Sequence, residues 1–555
     1  MKAELLLRGG RIFDAFSGQF FLGDLAISSG KIVGFGAEEA ERVEDIDGAF
    51  VIPGLIDAHV HLESSKLSPR EFSRAVLPHG TTTVIADPHE IANVHGLEGI
   101  RWMIKATKDL PLRFFFMAPS CVPASPLETP GAILKAQEIK EILSWERVLG
   151  LGEVMNFPGV LARDPDLMEK LCLSQGKPID GHAPGLLGEA LWRYVASGPK
   201  TDHECTDLQE AQEKLRAGMH ILIREGTTAR NLKALIPILT PFSFPFVHFC
   251  TDDREPETLL SEGHMDDILR KAIKGGVPPE VAIASATIHT ARLYGVLGLG
   301  ALAPGYLADF LLVSNLEEMK VEEVYVAGVK VAEGGKIIVD LPPSPPPPPP
   351  SVRINVDSLS FKIPAGKGKA RVIGIIPDQV VTEEIWVEPK IEGDEVVSDP
   401  ERDILKIAVI ERHKGTSRIG LGLVHGFGLK EGALASTVAH DSHNLIVVGI
   451  SEEDMLAAVK ELVRCSGGQT VVKNGRPIVT LPLPIGGLMS QEPLSEVYRL
   501  SLELRKAAWD LGSRLPDPFM TLSFLALPVI PKLKLTDLGL VDVQQFKIVS
   551  LFEGG

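Results

Sequence analysis

The chain has 555 residues, 45% of them hydrophobic and 23% charged, which is enough for several globular domains. Its formal net charge of −17 repels polyanions, so nucleic acid and anionic membrane surfaces are disfavoured as partners and a small ligand fits better. The five cysteines are scattered with no C-x-x-C pair, which argues against a disulfide framework or a zinc ribbon. With no apolar leader and no apolar run of membrane length, the expectation is a cytoplasmic chain.

The first fifty residues read as short strands separated by Gly/Asp turns ("AELLLRGGRIFDA", "FLGDLAISSGKIVGFG"), and the same texture returns in "GYLADFLLVSN" and "VEEVYVAGVKVAEGGKIIVD". One small β-sandwich domain assembled from both flanks, residues 1–52 and 301–341, is expected. Between them, residues 53–300 alternate strand-like and helical patterns. The strand-like runs, in order, are "VIPGLIDAHVHLESS", "TTTVIADPHE", "LRFFFMAPS", "RVLGLGEVMN", "KPIDGHAPG", "KTDHECT", "HILIREGT" and "FPFVHFCTDD". Eight such units over about 250 residues is the count of a (β/α)8 TIM-like barrel, an α/β fold. Residues 342–350, "PPSPPPPPP", lack backbone donors and favour an extended linker that reads as a stiff spacer. Residues 351–555 read as a further α/β domain, with strands in "DILKIAVIER" and "NLIVVGI" and helices in "EEDMLAAVKELVR" and "LSEVYRLSLELRKAAWDLG".

The first barrel run carries two histidines at i and i+2, which point to one side of a strand. Burying two imidazoles without partners costs a few kcal/mol each, roughly, so something must satisfy them. In a barrel, chemistry gathers at the C-terminal strand ends, and there stand His59 and His61, then His89 and Glu90 in "DPHE", Glu153, His182, His203 with Glu204, Arg224, and Asp252 with Asp253. A lone histidine at a strand end is usually only hydrogen-bonded. Six N/O donors aimed at one point would go unsatisfied without cations between them, and four histidines with two carboxylates suit zinc, manganese or iron(II). Two such metals, about 3.5–4 Å apart, need a bridging carboxylate, and Glu153 is placed to supply it.

"GLIDAHVHLESS", "GEV", "GHAPG", "DHEC" and "TDD" together resemble the amidohydrolase superfamily, as does "LGLGALAPGYLADFLLV" on the return into the small domain. More narrowly, "ADPHEIANVHG", "DDREP" and "RHKGTSRIGLGLVHGFGLKEGALASTVAHDSHNLIVVG" resemble the bacterial-type adenine deaminases, over essentially the whole chain. The resemblance implies that His59, His61 and Asp252 hold one metal, His182 and His203 the other, and that Glu153 bridges them where many relatives use a carboxylated lysine. It implies attack of metal-activated hydroxide on C6 of adenine, giving hypoxanthine and ammonia in purine salvage. Asp252 would move protons between water and the leaving amine, and Glu153 would help deliver one to the ring. Manganese or iron(II) is the expected metal, with zinc an alternative. Adenine and water are the expected substrates, and a homo-oligomer, dimer or higher, the expected assembly.

His89, Glu90, Glu204 and Arg224 are candidates for substrate binding, each with a structural hydrogen bond or ion pair as the plain alternative. In "STVAHDSHN", Asp441 and His443 form with His440 a polar cluster that would fold over the barrel mouth, or else make an interdomain or subunit contact. Arg412, His413 and Lys414 read as a solvated basic face or as partners of carboxylates. The competing enzyme class is a cyclic amide hydrolase of the same superfamily, which usually has lysine at the position of Glu153. His61-Leu62-Glu63 spells the H-x-E of nucleic-acid deaminases, but no P-C-x-x-C follows to complete that zinc site.

Overall fold

A computed structural model of the chain describes residues 2–377 and 379–553. Its centre is a curled parallel sheet of eight strands: β1 (Leu55–Val60), β2 (Thr81–Ala86), β3 (Arg113–Ala118), β4 (Val148–Val154), β5 (Ile179–Gly181), β6 (Thr201–Asp202), β7 (His220–Arg224) and β8 (Val247–Cys250). Strands β1 to β5 pair in sequence order, as do β6 to β8. At one seam Lys200 N donates to Ile179 O at 2.9 Å, and at the other Asp252 N donates to His59 O at 3.0 Å while His61 N donates to Asp252 O at 2.9 Å. Each strand falls within one of the eight runs named above. Strands β1 and β2 are buried at every position, as expected of a parallel sheet covered on both faces, and so they read as continuous apolar runs.

Two glycines set how close β4 comes to its neighbours. A Cβ on Gly150 would lie 1.9 Å from Pro178 O, and one on Gly152 would lie 2.2 Å from Asp87 Oδ2. The bare backbone at Gly152 lets Asp87 Oδ2 accept from Glu153 N at 3.0 Å, which fixes the residue after it at the barrel mouth.

A nine-stranded sheet takes strands from both flanks of the barrel. Its junction is the antiparallel pairing of Phe50–Pro53 with Phe310–Asn315. Asp309, next to that junction, accepts from Arg113 Nε at 2.6 Å and so ties this sheet to β3. The C-terminal part is built on an eight-stranded sheet that includes Ile404–Ile410, Leu445–Gly449 and Gly468–Lys473. Helix Glu452–Arg464 packs on it: Ser451 caps its N-terminus by accepting from Asp454 N at 3.1 Å, and Met455, Ala458, Val459 and Leu462 bury one face at helical spacing.

One apolar core runs from the barrel into this sheet, joining Ile91, Val94 and Leu67 to Leu434, Leu488 and Met489. Polar ties follow the same boundary. Asp537 accepts from Thr129 N at 2.9 Å and from Thr129 Oγ1 at 2.6 Å, Asn444 Nδ2 donates to Thr129 O at 3.0 Å, and Ser490 N donates to Lys66 O at 2.8 Å. The proline tract is docked and does not stand free: Trp102 Nε1 donates to Pro346 O at 2.7 Å and Arg70 Nε to Pro342 O at 3.1 Å.

Asp537 is 1% exposed, and its removal strands two donors of Thr129 at the boundary. Asp537→Ala should cost about 1–3 kcal/mol, read as a lower urea midpoint for the transition that includes the C-terminal sheet.

Candidate metal centre

The barrel mouth is built around Glu153. Its Oε1 lies 3.1 Å from His61 Nε2, 3.9 Å from His59 Nε2 and 3.4 Å from His89 Nδ1. Its Oε2 lies 2.7 Å from His182 Nδ1 and 3.4 Å from His203 Nε2. The two oxygens of one carboxylate therefore address two different groups of histidines. Asp252 Oδ1 completes the first group, 3.4 Å from His59 Nε2 and 3.2 Å from His61 Nε2. The six residues expected to share a centre are thus brought together. Five are buried, and His182 keeps 26% of its side chain exposed.

The backbone around these ligands is specialised. Asp252 adopts left-handed geometry with φ 58°, a region that aspartate tolerates better than most residues. The paired hydrogen bonds described above hold it there, and they aim Oδ1 at His59 in β1 and at His61 just beyond it.

The electrostatics call for cations. Burial pushes Glu153 up, but hydrogen bonds from His182, His203 and His61 outweigh it and hold the carboxyl well below its ordinary range. Burial likewise raises Asp252, and Arg224, His59 and His61 pull it well below. Burial, with the neighbouring His203 charge, lowers His59 below the usual imidazole value. His61 is also buried, yet Asp252 and Glu153 hold it well above the usual imidazole value. Two buried anions thus gather positive charge on whatever faces them.

His61 Nδ1 lies 3.0 Å from Asp87 O. A carbonyl only accepts, so Nδ1 carries a hydrogen; in the neutral ring Nε2 then offers its lone pair to the centre, the arrangement of a metal-binding histidine. His59 Nε2 is 3.0 Å from His61 Nε2. An ion at ordinary ligand distances of about 2.0–2.2 Å would reach both nitrogens together with the nearest oxygens of Glu153 and Asp252. The donor set fits a divalent metal.

The candidate substrate residues divide. Arg224 Nη1 is 2.6 Å from both Asp252 Oδ2 and Glu204 Oε1, so its guanidinium pairs with carboxylates. Glu204 Oε1 also lies 3.3 Å from His203 Nε2. Burial raises Glu204, but the Arg224 and His182 charges pull it well below its ordinary value. His89 turns toward Glu153, and the carboxylate of its neighbour Glu90 accepts from Ser64 Oγ at 3.3 Å and reaches the C-terminal part. There His440 Nδ1 lies 3.4 Å from Glu90 Oε1, and His443 Nε2 lies 3.9 Å from Glu90 Oε2. Asp441 Oδ1 lies 3.8 Å from His440 Nδ1, and the His440 ring stacks on Phe524 with centroids 4.8 Å apart. The "STVAHDSHN" loop thus reaches the barrel mouth.

Arg412 corrects the sequence reading. It is fully buried, with no carboxylate partner among the described residues. Its guanidinium donates to Gly486 O at 2.9 Å, to Ser351 Oγ at 2.7 Å, to Thr437 O at 3.4 Å and to His443 O. His413 is buried too, and its Nε2 donates to Ser442 O at 2.7 Å. These two residues clamp the loop from behind. Nothing in "RHKG" distinguishes an inward arginine from a solvated one, and Phe524 also carried no signal.

Known proteins match the whole chain. The amidohydrolase family model matches residues 50–331, and the adenine deaminase C-terminal domain model matches residues 379–547. The adenine deaminase of Desulfatibacillum aliphaticivorans is 50% identical over 99% of this chain and 97% of its own length. Adenine deaminase 2 of Carboxydothermus hydrogenoformans is 47% identical over the same shares. The chain belongs to the adenine deaminase family, with an amidohydrolase barrel. Among solved structures, the β-aspartyl dipeptidase of Fervidobacterium islandicum AW-1 aligns with 61% of this chain and 98% of its own, at TM-score 0.47 and 16% identity. Among the described residues, no helix is long and apolar enough to cross a membrane.

Removing the clamp tests its role apart from the ligands. Arg412→Met should destabilise the protein by about 2–4 kcal/mol, since hydrogen bonds from a charged donor contribute about 1.5–3 kcal/mol each. Bound metal per chain, read by plasma mass spectrometry, should stay at the wild-type level.

Proposed function

We propose that this chain hydrolyses adenine to hypoxanthine and ammonia at a centre of two divalent metals. His59, His61 and Asp252 hold one metal, His182 and His203 the other, and Glu153 serves both. The single observation that carries the reading is Glu153, whose Oε1 faces His61 and whose Oε2 faces His182 and His203, within a chain at least 47% identical to the two adenine deaminases named above. Manganese or iron(II) is the proposed metal, and zinc suits the same donors. When bound, such ions polarise water and lower its pKa toward neutrality.

The residues manage the protons. As the water oxygen bonds to C6, the C6–N1 double bond opens and N1 takes a proton. The C6–N bond then breaks, and the amine leaves with a further proton as ammonia. Asp252, with Oδ2 pinned by Arg224 and Oδ1 facing the histidines, moves the water's proton toward the amine. Glu153 assists delivery to the ring. His89, Glu90, Glu204, Asp441 and His443 line the substrate space, with Arg224 behind Asp252. Residues 351–555 close one wall and exclude water.

The test is ammonia release from a purine panel and from a cyclic amide, using metal-stripped protein and then protein with manganese, iron(II) or zinc restored. Adenine-dependent ammonia that returns with metal is the expected result; ring opening of the cyclic amide in its place would remove the reading. Asp252→Asn should lower kcat on adenine at least about 10³-fold, the upper part of the range for a general acid–base group. Glu153→Gln should also lose bound metal.

A further inference from the structure

Glu90, His440 and His443 stand outside the hydrolytic chemistry. Their facing nitrogen and oxygen atoms lie within 4.8 Å of one another, and by residue type they could hold a further metal. The hydrogen bonding argues against that. Ala439 N donates to His443 Nδ1 at 3.1 Å, and because a backbone N–H only donates, Nδ1 must offer its lone pair. The neutral ring then carries its hydrogen on Nε2, and a nitrogen that keeps its hydrogen cannot ligate a cation.

His443 Nε2 is instead a donor facing Glu90 Oε2 across 3.9 Å, too far for a hydrogen bond. Neither atom has a partner among the described residues, although His443 is 0% and Glu90 1% exposed. A buried donor and a buried acceptor left unmade, side by side, are matched by a ligand edge that carries one acceptor and one N–H.

We propose that His443 and Glu90 read the N3/N9–H edge of the purine: His443 Nε2 donates to N3, and N9–H donates to Glu90 Oε2. The proposal rests on the adenine reading above. Adenine has three edges that pair a donor with an acceptor. Two of them contain the amine on C6, with N1 or with N7, and these must turn toward Glu153 and Asp252, where that amine is replaced. The N3/N9–H edge remains for a pair that lies outside the groups around Glu153 and Asp252, as Glu90 and His443 do. N9 is where a nucleoside carries its sugar, so the same pair selects the free base over the nucleoside.

A cycle between residue and ligand atom tests this. kcat/KM is measured for wild type and His443→Phe on adenine and on 3-deazaadenine, in which carbon replaces N3. Replacing N3 should cost wild type about 10–100-fold, the value of one buried hydrogen bond, beyond whatever it costs His443→Phe. Equal losses in the two enzymes would overturn the proposal. His443→Gln keeps a donor and should retain the dependence on N3; a glutamine variant blind to N3 also overturns it. Metal content should be unchanged in both variants, and a loss of metal would make His443 a ligand and end the proposal. Failure of the wild type to release ammonia from adenine would instead sink the reading beneath it.

Discussion

Glu153 must satisfy both of its oxygens inside a water-poor barrel, and the rest of the site is arranged around that requirement. Leaving one oxygen of a buried carboxylate unpaired costs free energy and raises its pKa. Here each oxygen meets its own imidazoles. For this to happen, β4 must run close to β5 and to the end of β2, which is why no side chain fits at Gly150 or Gly152. Asp87, at the end of β2, fixes the backbone of Glu153 with its carboxylate and the tautomer of His61 with its carbonyl. One residue outside the cluster thus positions two members of it.

Charge is balanced outward in the same manner. Asp252 faces the histidines with one oxygen and Arg224 with the other. Without Arg224, Asp252 and Glu204 would be two buried anions whose repulsion only the centre could relieve. The guanidinium lets both stay ionised while the first oxygen of Asp252 stays turned to His59 and His61. This pairing is the plain alternative that stood beside purine recognition for Arg224 in the sequence reading.

The barrel was legible because its physics is local. Continuous apolar runs that end in histidine or carboxylate mark both the strand and the end where chemistry gathers, and His59, His61, Glu153, His182, His203 and Asp252 could be named from them. The C-terminal sheet was only half legible. Ile404–Ile410 and Leu445–Gly449 stand out as apolar runs, but Ile419–His425 carries Gly420 and Gly422, which read as turn residues. At Gly420 a Cβ would lie 1.9 Å from Thr536 O, so this glycine serves close approach within a strand. What sequence could not supply was distance across the chain. Glu90 and His443 meet across two folding units, and the inward course of Arg412 depends on acceptors contributed by Ser351, Thr437, His443 and Gly486.

Those long-range contacts decide which side of the mouth is wall and which is door. The loop that carries His440 and His443 is tied from behind by Arg412 and His413 and backed by a core shared with the barrel, and its residues are almost wholly buried. Around the rest of the ring, His182, Glu204 and Arg224, on or just beyond β5, β6 and β7, retain 26%, 13% and 16% of their side-chain exposure. Solvent therefore reaches the ring from the side of β5 to β7, and the side of the fixed loop is closed to it. On the loop side the polar groups are fixed by packing and by the hydrogen bonds of Arg412 and His413, and groups fixed in this way lose little freedom when any ligand binds.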